Sequence, residues 1–526
     1  TNSVTDGLDT DGDYGDQFFD KQWHIRSLGT LVNENKSAIP TIEGYDLDVI
    51  DIYHRFMGYN DGNRVIVSIV DNGVDAHHED LVDNMELSLS YGGINAETLG
   101  DPSPNSYLDT HGTQVAGIIA SRGLNGLGVR GIIPFAKIVG SNWLGSSSQG
   151  ASALAKAWLG EGSEARKIVV SNNSWGAYYS TSTFHEALME IGIRKSFENG
   201  RVYVFAAGND RRYEHDANLE YKLSNRYVIT VGALRHDNTH AAYSSPGANL
   251  LVSGYSGDWA ETSPTIGTTI VTGQSVNTGD YNTQTTWDED EQQNYTWAMN
   301  GTSAAAPTVS GSIALVIQAC PDLSYREIKT LIAKNAKNKN TALEIDPSNT
   351  SWVQNSAGYW HSRDYGFGLI NPKAMIEECN RIDYALLPNE QIYSENFTFN
   401  EFIPSEETKT FTLNVSAESD IGFIEWLEVT VDNNNTYASD YEIYLTSPSG
   451  TQIKMMKSDV LADPEMGNLY AITRLDWLSG GHRLGTPAFI GESSQGNWVL
   501  SITDTRQGDE GTLKDIDLSI YGHSAQ

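Results

Sequence analysis

The sequence predicts an α/β fold built on a parallel sheet, followed by an all-β sandwich of the jelly-roll kind. Three observations carry this. Short apolar, β-branched runs at 65–70, 168–171 and 202–207 each stop at a polar or small-residue turn, as strands buried on both faces of a parallel sheet do. Alanine- and valine-rich stretches after His111 and after Ser303 read as buried helices. From about Pro388 the pattern changes to alternating apolar and polar residues, the period of half-buried strands. At 526 residues two or three domains are expected, and the change of pattern divides the chain into 1–387 and 388–526.

Taken in order, the run 65–70 delivers Asp71 at its carboxyl end, in Val70-Asp71-Asn72-Gly73. Ligands of open α/β sheets bind outside the carboxyl ends of the strands, so Asp71 is a candidate acid. His111, in Asp109-Thr110-His111-Gly112-Thr113, stands near the start of a helix and is a candidate base; Gly112 permits close approach of substrate or backbone. In Asn300-Gly301-Thr302-Ser303-Ala304-Ala305-Ala306-Pro307, Ser303 falls in the first turn of the next long helix. There the unpaired backbone N–H groups and the positive dipole end face an arriving negative charge. An acyl-transfer nucleophile needs that setting, because its tetrahedral intermediate is an oxyanion. Segment 254–294 reads as a surface insertion with an acidic run, Asp288-Glu289-Asp290-Glu291. Segment 323–332 reads as an amphipathic helix, capped by Ser324 with Glu327 closing a capping box. Strands are expected at 411–415, 427–431, 441–445, 496–504 and 511–522.

Asp, His and Ser in this order, each in its strand-turn or turn-helix setting, resemble the motifs of the subtilisin superfamily of serine proteases. The resemblance implies Ser303 as nucleophile and His111 as general base and then acid. Asp71 would hold the imidazole tautomer and stabilise the imidazolium. Asn209, after the run 202–207, matches the family's oxyanion-hole asparagine, and Ser174-Trp175-Gly176 matches the segment that binds substrate backbone as an added strand. Residues 388–526 resemble the P-domain of kexin- and furin-like proprotein convertases, notably in Leu445-Thr446-Ser447-Pro448-Ser449-Gly450-Thr451. The same resemblance implies a calcium site of Asp16, Asp80 and Asn125 side chains with the Leu127 and Val129 carbonyls, an oxygen set that suits the ion. The run from Asp9 to Asp16 is either a second calcium loop or an acidic leader.

The match departs from the convertases at Asn72, where furin-like enzymes carry an acid that receives a basic substrate residue. Of the acidic cluster that holds a second calcium beneath their pocket, Glu214-His215-Asp216 is kept while two positions fall on Tyr179 and Ser245, and their pocket acid falls on Tyr221. Asp216 and Glu220 remain to receive an Arg or Lys side chain, so the expected preference is for basic residues before the cut, looser than furin's. The expected function is a serine endopeptidase acting on proteins or peptides through an acyl-enzyme. A broad-specificity extracellular protease and an inactive binding scaffold are the alternatives. Lys and Arg number 34 against 68 Asp and Glu, a net charge of −34. That excludes nucleic acid and anionic membrane surfaces as partners and suits calcium or cationic substrates. A start at Thr1-Asn2-Ser3-Val4 reads as a processed, secreted chain, with a propeptide or chaperone assisting folding, and a monomer is expected. Cys320 and Cys379 form either one disulfide or two buried thiols.

Overall fold

The computed structural model describes residues 15–32, 39–53, 56, 58–60, 63–147, 149–176, 201–258, 263–272, 287, 289–340, 350–416, 419, 421–434, 440–458, 481–508 and 510–525. The apolar runs form a parallel sheet: β1 (Ile66–Asp71), β2 (Lys137–Asn142), β3 (Ile168–Asn173), β4 (Val202–Ala206), β5 (Val228–Leu234) and β6 (Leu250–Tyr255). Their order is β6-β5-β4-β3-β1-β2, extended beyond β2 by the short antiparallel pair Tyr91–Gly92 and Thr98–Leu99. The chain leaves β1 on one side to form β2 and returns on the other to form β3. This reversal opens a crevice at the carboxyl ends of β1 and β3, the usual ligand position in such sheets.

Helix α1 (His111–Ala120) and helix α3 (Thr302–Ala319) cover the sheet, while α2 (Ala151–Leu159) leads into β3. Helix α3 is buried along nearly its whole length, which its Ala/Gly/Ser composition allows. It passes so close to β6 that a Cβ on Gly254 would lie 2.5 Å from the Ala305 carbonyl oxygen. Gly254 is therefore the inside of a core strand and not the start of a surface insertion, a correction to the expectation for 254–294. Within that segment Ile266–Thr269 pairs with Tyr295–Met299. The acidic run is not simply solvated: buried Asp290 accepts from the Tyr295 N–H at 2.8 Å, and Glu289 meets Lys21 at 3.2 Å. Asp288, like the run from Asp9 to Tyr14, lies outside the described residues.

Helix α4 (Tyr325–Asn335) carries the expected Ser324–Glu327 capping box, and α5 (Pro372–Cys379) follows an Asn371 cap. Cys320 and Cys379 are bonded, which resolves the two alternatives and ties the end of α3 to the end of α5. The strands described after α5 are β7 (Gln391–Ile403), β8 (Thr408–Val415), β9 (Phe423–Asn433), β10 (Tyr441–Thr446), β11 (Gln452–Met456), β12 (His482–Thr486), β13 (Gly496–Asp504) and β14 (Gly511–His523). They form two four-stranded antiparallel sheets, β7-β14-β9-β12 and β8-β13-β10-β11. The sheets enclose a core that includes Phe411, Leu427, Trp498 and Leu518.

The two bodies share their cores. Leu219 and Ala248 of the first pack into the sandwich, and Ile490 of the second packs into the α/β core. Arg326 on α4 grips Glu425 on β9 through two bonds of 2.8 and 2.5 Å. Among the described residues, no helix is long and apolar enough to cross a membrane.

Candidate functional site

Asp71 is the last residue of β1 and is fully buried. Its Oδ1 accepts from the Asn72 N–H at 2.8 Å and bonds His111 Nδ1, also at 2.8 Å. This contact needs α1 to start almost on top of β1: a Cβ on Gly112 would lie 2.1 Å from the Gly73 carbonyl oxygen and 3.0 Å from Asp71 Cβ. Asn72 accepts the Gly112 N–H at 2.8 Å and so braces the helix start. The His111 ring is about one-third exposed (34%). Burial alone would lower its pKa, but the Asp71 charge and hydrogen bond outweigh burial and raise it above the ordinary value.

Ser303 lies in the first turn of α3, after Gly301 at φ +85°. Its hydroxyl donates to the Ser174 carbonyl at 2.9 Å, and the Ser174 hydroxyl donates back to the Ser303 carbonyl, also at 2.9 Å. Pro307 explains the return bond. It lacks the N–H that would otherwise reach back four residues to Ser303, and Ser174 satisfies the freed carbonyl. Ser174 follows β3 directly, and the Trp175 indole N–H donates to the Val70 carbonyl at 2.8 Å. Asp71, Ser174 and Ser303 are thereby assembled at the sheet's reversal, with α1 packed on α3. Gly176, next along, is exposed.

Asn209 sits beyond the end of β4. Its Oδ1 accepts from the Thr302 N–H at 2.8 Å and from the Thr302 hydroxyl at 2.9 Å. That bonding fixes the amide so that Nδ2 is the outward group. The space a Gly301 side chain would fill is bounded by Asn209 Nδ2 at 3.3 Å, Asn209 Oδ1 at 3.6 Å and the Ser303 backbone N at 3.6 Å. Two donors thus flank one small opening, which can stabilise an oxyanion. Thr302 was not singled out from the sequence; its place between the Gly and Ser of the motif was the available signal.

Asp216 does not face this opening, which corrects its expected role. It is buried at 1% exposure and caps the turn at Ala217–Leu219. It pairs with Arg363 and accepts the Lys457 N–H of the sandwich at 3.0 Å. Glu220 does lie beside the site: a Cβ on Gly176 would be 3.4 Å from its Oε1. It is paired with Lys222, a residue the sequence reading overlooked. Ser245 is buried, and Tyr179 lies outside the described residues.

The Asp16 and Asp80 carboxylates meet over the loop before Arg130. Asp16 accepts from the Leu124 N–H at 3.0 Å and the Asn125 N–H at 3.1 Å; Asp80 accepts from the Asn125 side-chain amide at 2.8 Å and the Val129 N–H at 3.1 Å. Burial, chiefly, pushes the Asp80 carboxyl up to about 8, with the nearby Asp16 charge adding to it. Two buried carboxylates in one place supply oxygen for a divalent cation, but here the Asn125 amide turns its NH2 to Asp80 and its oxygen to the Leu127 N–H, and Val129 offers Asp80 its N–H. Leu127 is at the loop tip and its N–H caps the Asn125 amide oxygen at 2.9 Å. The sequence reading missed Arg130, whose buried guanidinium bonds Asp16 with Nε at 2.7 Å and supplies one positive charge already. Among the described residues, no group of three or more His, Cys, Asp or Glu side chains gathers as a metal cluster.

Residues 62–368 match the Subtilase family and residues 424–520 the proprotein convertase P-domain. The chain belongs to the subtilase family and is a serine endopeptidase of the subtilisin and kexin type with a P-domain. It is 28% identical to the Aeromonas extracellular serine protease of Aeromonas sobria, over 93% of this chain and 84% of that one. It is 27% identical to protease KEX1 of Kluyveromyces lactis and to kexin of Saccharomyces cerevisiae, over 97% of this chain in both cases. It spans 61% and 56% of their respective lengths. The crystal structure of the Aeromonas sobria serine protease superposes with a TM-score of 0.83 at 25% identity, covering 97% of this chain and 96% of that one. The same protease in complex with its chaperone superposes at 0.84 with 24% identity and the same coverage, a likeness of fold.

Proposed function

We propose that the chain cleaves peptide bonds through Ser303, His111 and Asp71, with Asn209 and the Ser303 N–H receiving the oxyanion. The observation that carries this is the Asp71–His111 bond at the sheet's reversal, beside the opening flanked by Asn209 Nδ2 and Ser303 N. Substrate backbone lies along Ser174-Trp175-Gly176 as an added strand. The Ser303 hydroxyl leaves the Ser174 carbonyl and turns to His111 Nε2, which takes its proton as oxygen attacks the carbonyl carbon. Asp71 holds the opposite ring nitrogen and stabilises the imidazolium. His111 then returns the proton to the leaving amine, and water repeats the cycle on the acyl-enzyme. A fluorophosphonate probe should label the enzyme and fail to label Ser303→Ala; labelling that persists in the variant defeats this assignment.

The preferred residue before the cut is basic, supported by net charge −34 and by Glu220 next to Gly176. A peptide library cleaved equally after Leu or Phe would defeat this. The boundary falls after Leu387, whose N–H donates to the capping Glu327 at 3.0 Å. The protein is secreted and monomeric, and a propeptide or chaperone assists its folding. The Aeromonas sobria relative, described as extracellular and solved with a chaperone, supports secretion and assisted folding. Asp16, Asp80 and Asn125, with the Leu127 and Val129 carbonyls, would hold calcium once the Asn125 amide turned its oxygen from the Leu127 N–H, and bound calcium would tie the N-terminal segment to the loop. Chelation should lower the thermal midpoint and added calcium restore it.

A further inference from the structure

Behind the Ser174-Trp175-Gly176 segment lies an ion pair that the acyl-transfer steps do not use. The Lys222 ammonium bonds the Glu220 carboxylate, and their side chains are only 5% and 8% exposed. The Glu220 end reaches the substrate edge, 3.4 Å from where a Cβ on Gly176 would stand, while the ammonium lies 5.9 Å from the centre of the Trp175 ring. Asp210, directly after Asn209, is the next acid. Burial first, and then the like charge of Glu220, hold its carboxyl above the ordinary value against the opposing effect of His215. A substrate strand laid along Ser174-Trp175-Gly176, as proposed above, runs past Gly176 and so past the Glu220 carboxylate.

We propose that Lys222 is a specificity-determining residue, an internal cation that occupies Glu220 and competes with a basic substrate side chain. The proposal rests on the endopeptidase reading above and deepens its substrate class. A bare buried carboxylate would bind an arriving Lys or Arg strongly, because it has no other partner. With Lys222 in place the carboxylate is already neutralised, and the arriving cation also meets the ammonium as a like charge. The pocket keeps the preference for positive charge that Glu220 gives it, but a blunted one.

The test compares the full chain as wild type, Lys222→Met, Lys222→Arg and Glu220→Gln on fluorogenic peptides that differ only in the residue before the cut: Arg, Leu or Glu. Lys222→Met should raise the Arg-to-Leu ratio of kcat/KM by roughly ten- to a hundredfold, and Lys222→Arg should keep the wild-type ratio. Glu220→Gln leaves Lys222 as the unpaired charge, so the Glu-to-Arg ratio should rise at least about tenfold. Should Lys222→Met not fold, Glu220→Gln decides alone. Unchanged ratios in the folded variants overturn the proposal. A wild type without basic preference defeats the basic-substrate reading but not the role of Lys222, which is read from the change between variants.

Discussion

The proposed oxyanion opening is set by a single orientation, that of the Asn209 amide. Thr302 takes both bonds at Oδ1, so the donor end has no choice of direction. Asn209→Ala should cut kcat by about 10²–10³ with little change in KM, the size known for the corresponding asparagine of subtilisin itself. Asn209→Asp should be as poor, since it presents charge where a donor is needed. His111 gives a pH test. As the proposed base, His111 would work only when neutral, and Asp71 raises its pKa, so activity should fall as pH drops through a value above the ordinary 6.5. In Asp71→Asn that limb should move to lower pH, with turnover reduced by about 10⁴; a limb that stays in place would show that another group controls it. Asp71, His111, Asn209 and Ser303 stand out in the sequence because each sits in a short motif with its own turn, and the structure joins Asp71 to His111 and Asn209 to the residue before Ser303. Asp216 was not legible in this way. Its partner Arg363 is 147 positions away, and no local pattern announces that a carboxylate is already taken.

Among the elements, α3 does the most to build the site. Its small residues let it run through the core, Gly301 opens its first turn, and Pro307 leaves the carbonyl that Ser174 fills. The composition of this helix was legible; the packing that forces glycine at 254 was not, because it depends on how near α3 comes to β6. In the sandwich, the strand expected at 496–504 is found with those bounds, since alternation alone specifies a half-buried strand. The disulfide could not be read, as two cysteines pair only if α3 and α5 end side by side. It closes a loop of 59 residues, which by loop entropy stabilises the fold by about 4 kcal/mol. Replacing both cysteines with serine should lower the denaturation midpoint by a corresponding amount and leave kcat/KM unchanged at low temperature. Loss of activity in the still-folded variant would instead give the bond a role in holding α3 at the site.

At the scale of the whole molecule, the sandwich holds one wall of the candidate pocket. Asn218, two residues before Glu220, is the junction. Its side-chain amide donates to the Met455 carbonyl at 2.8 Å, and its oxygen accepts from the Gly485 N–H at 3.0 Å and the Ser224 hydroxyl at 2.6 Å. Arg483 donates to the Tyr221 carbonyl at 3.0 Å. The segment carrying Glu220 and Lys222 is therefore fixed from the side of the sandwich as much as from its own domain. Two effects should separate on mutation. Truncation after Leu387 uncovers Leu219 and Ala248 and strips Arg326 of Glu425, so the remaining chain should unfold at markedly lower temperature or fail to accumulate. Asn218→Ala keeps both bodies but leaves buried polar groups unpaired, a cost of about 1–3 kcal/mol. It should also loosen the pocket wall. Measured well below its midpoint, the variant should retain fluorophosphonate labelling while discriminating less sharply among residues before the cut. An unchanged cleavage profile would mean that the sandwich supports the catalytic body without setting the pocket.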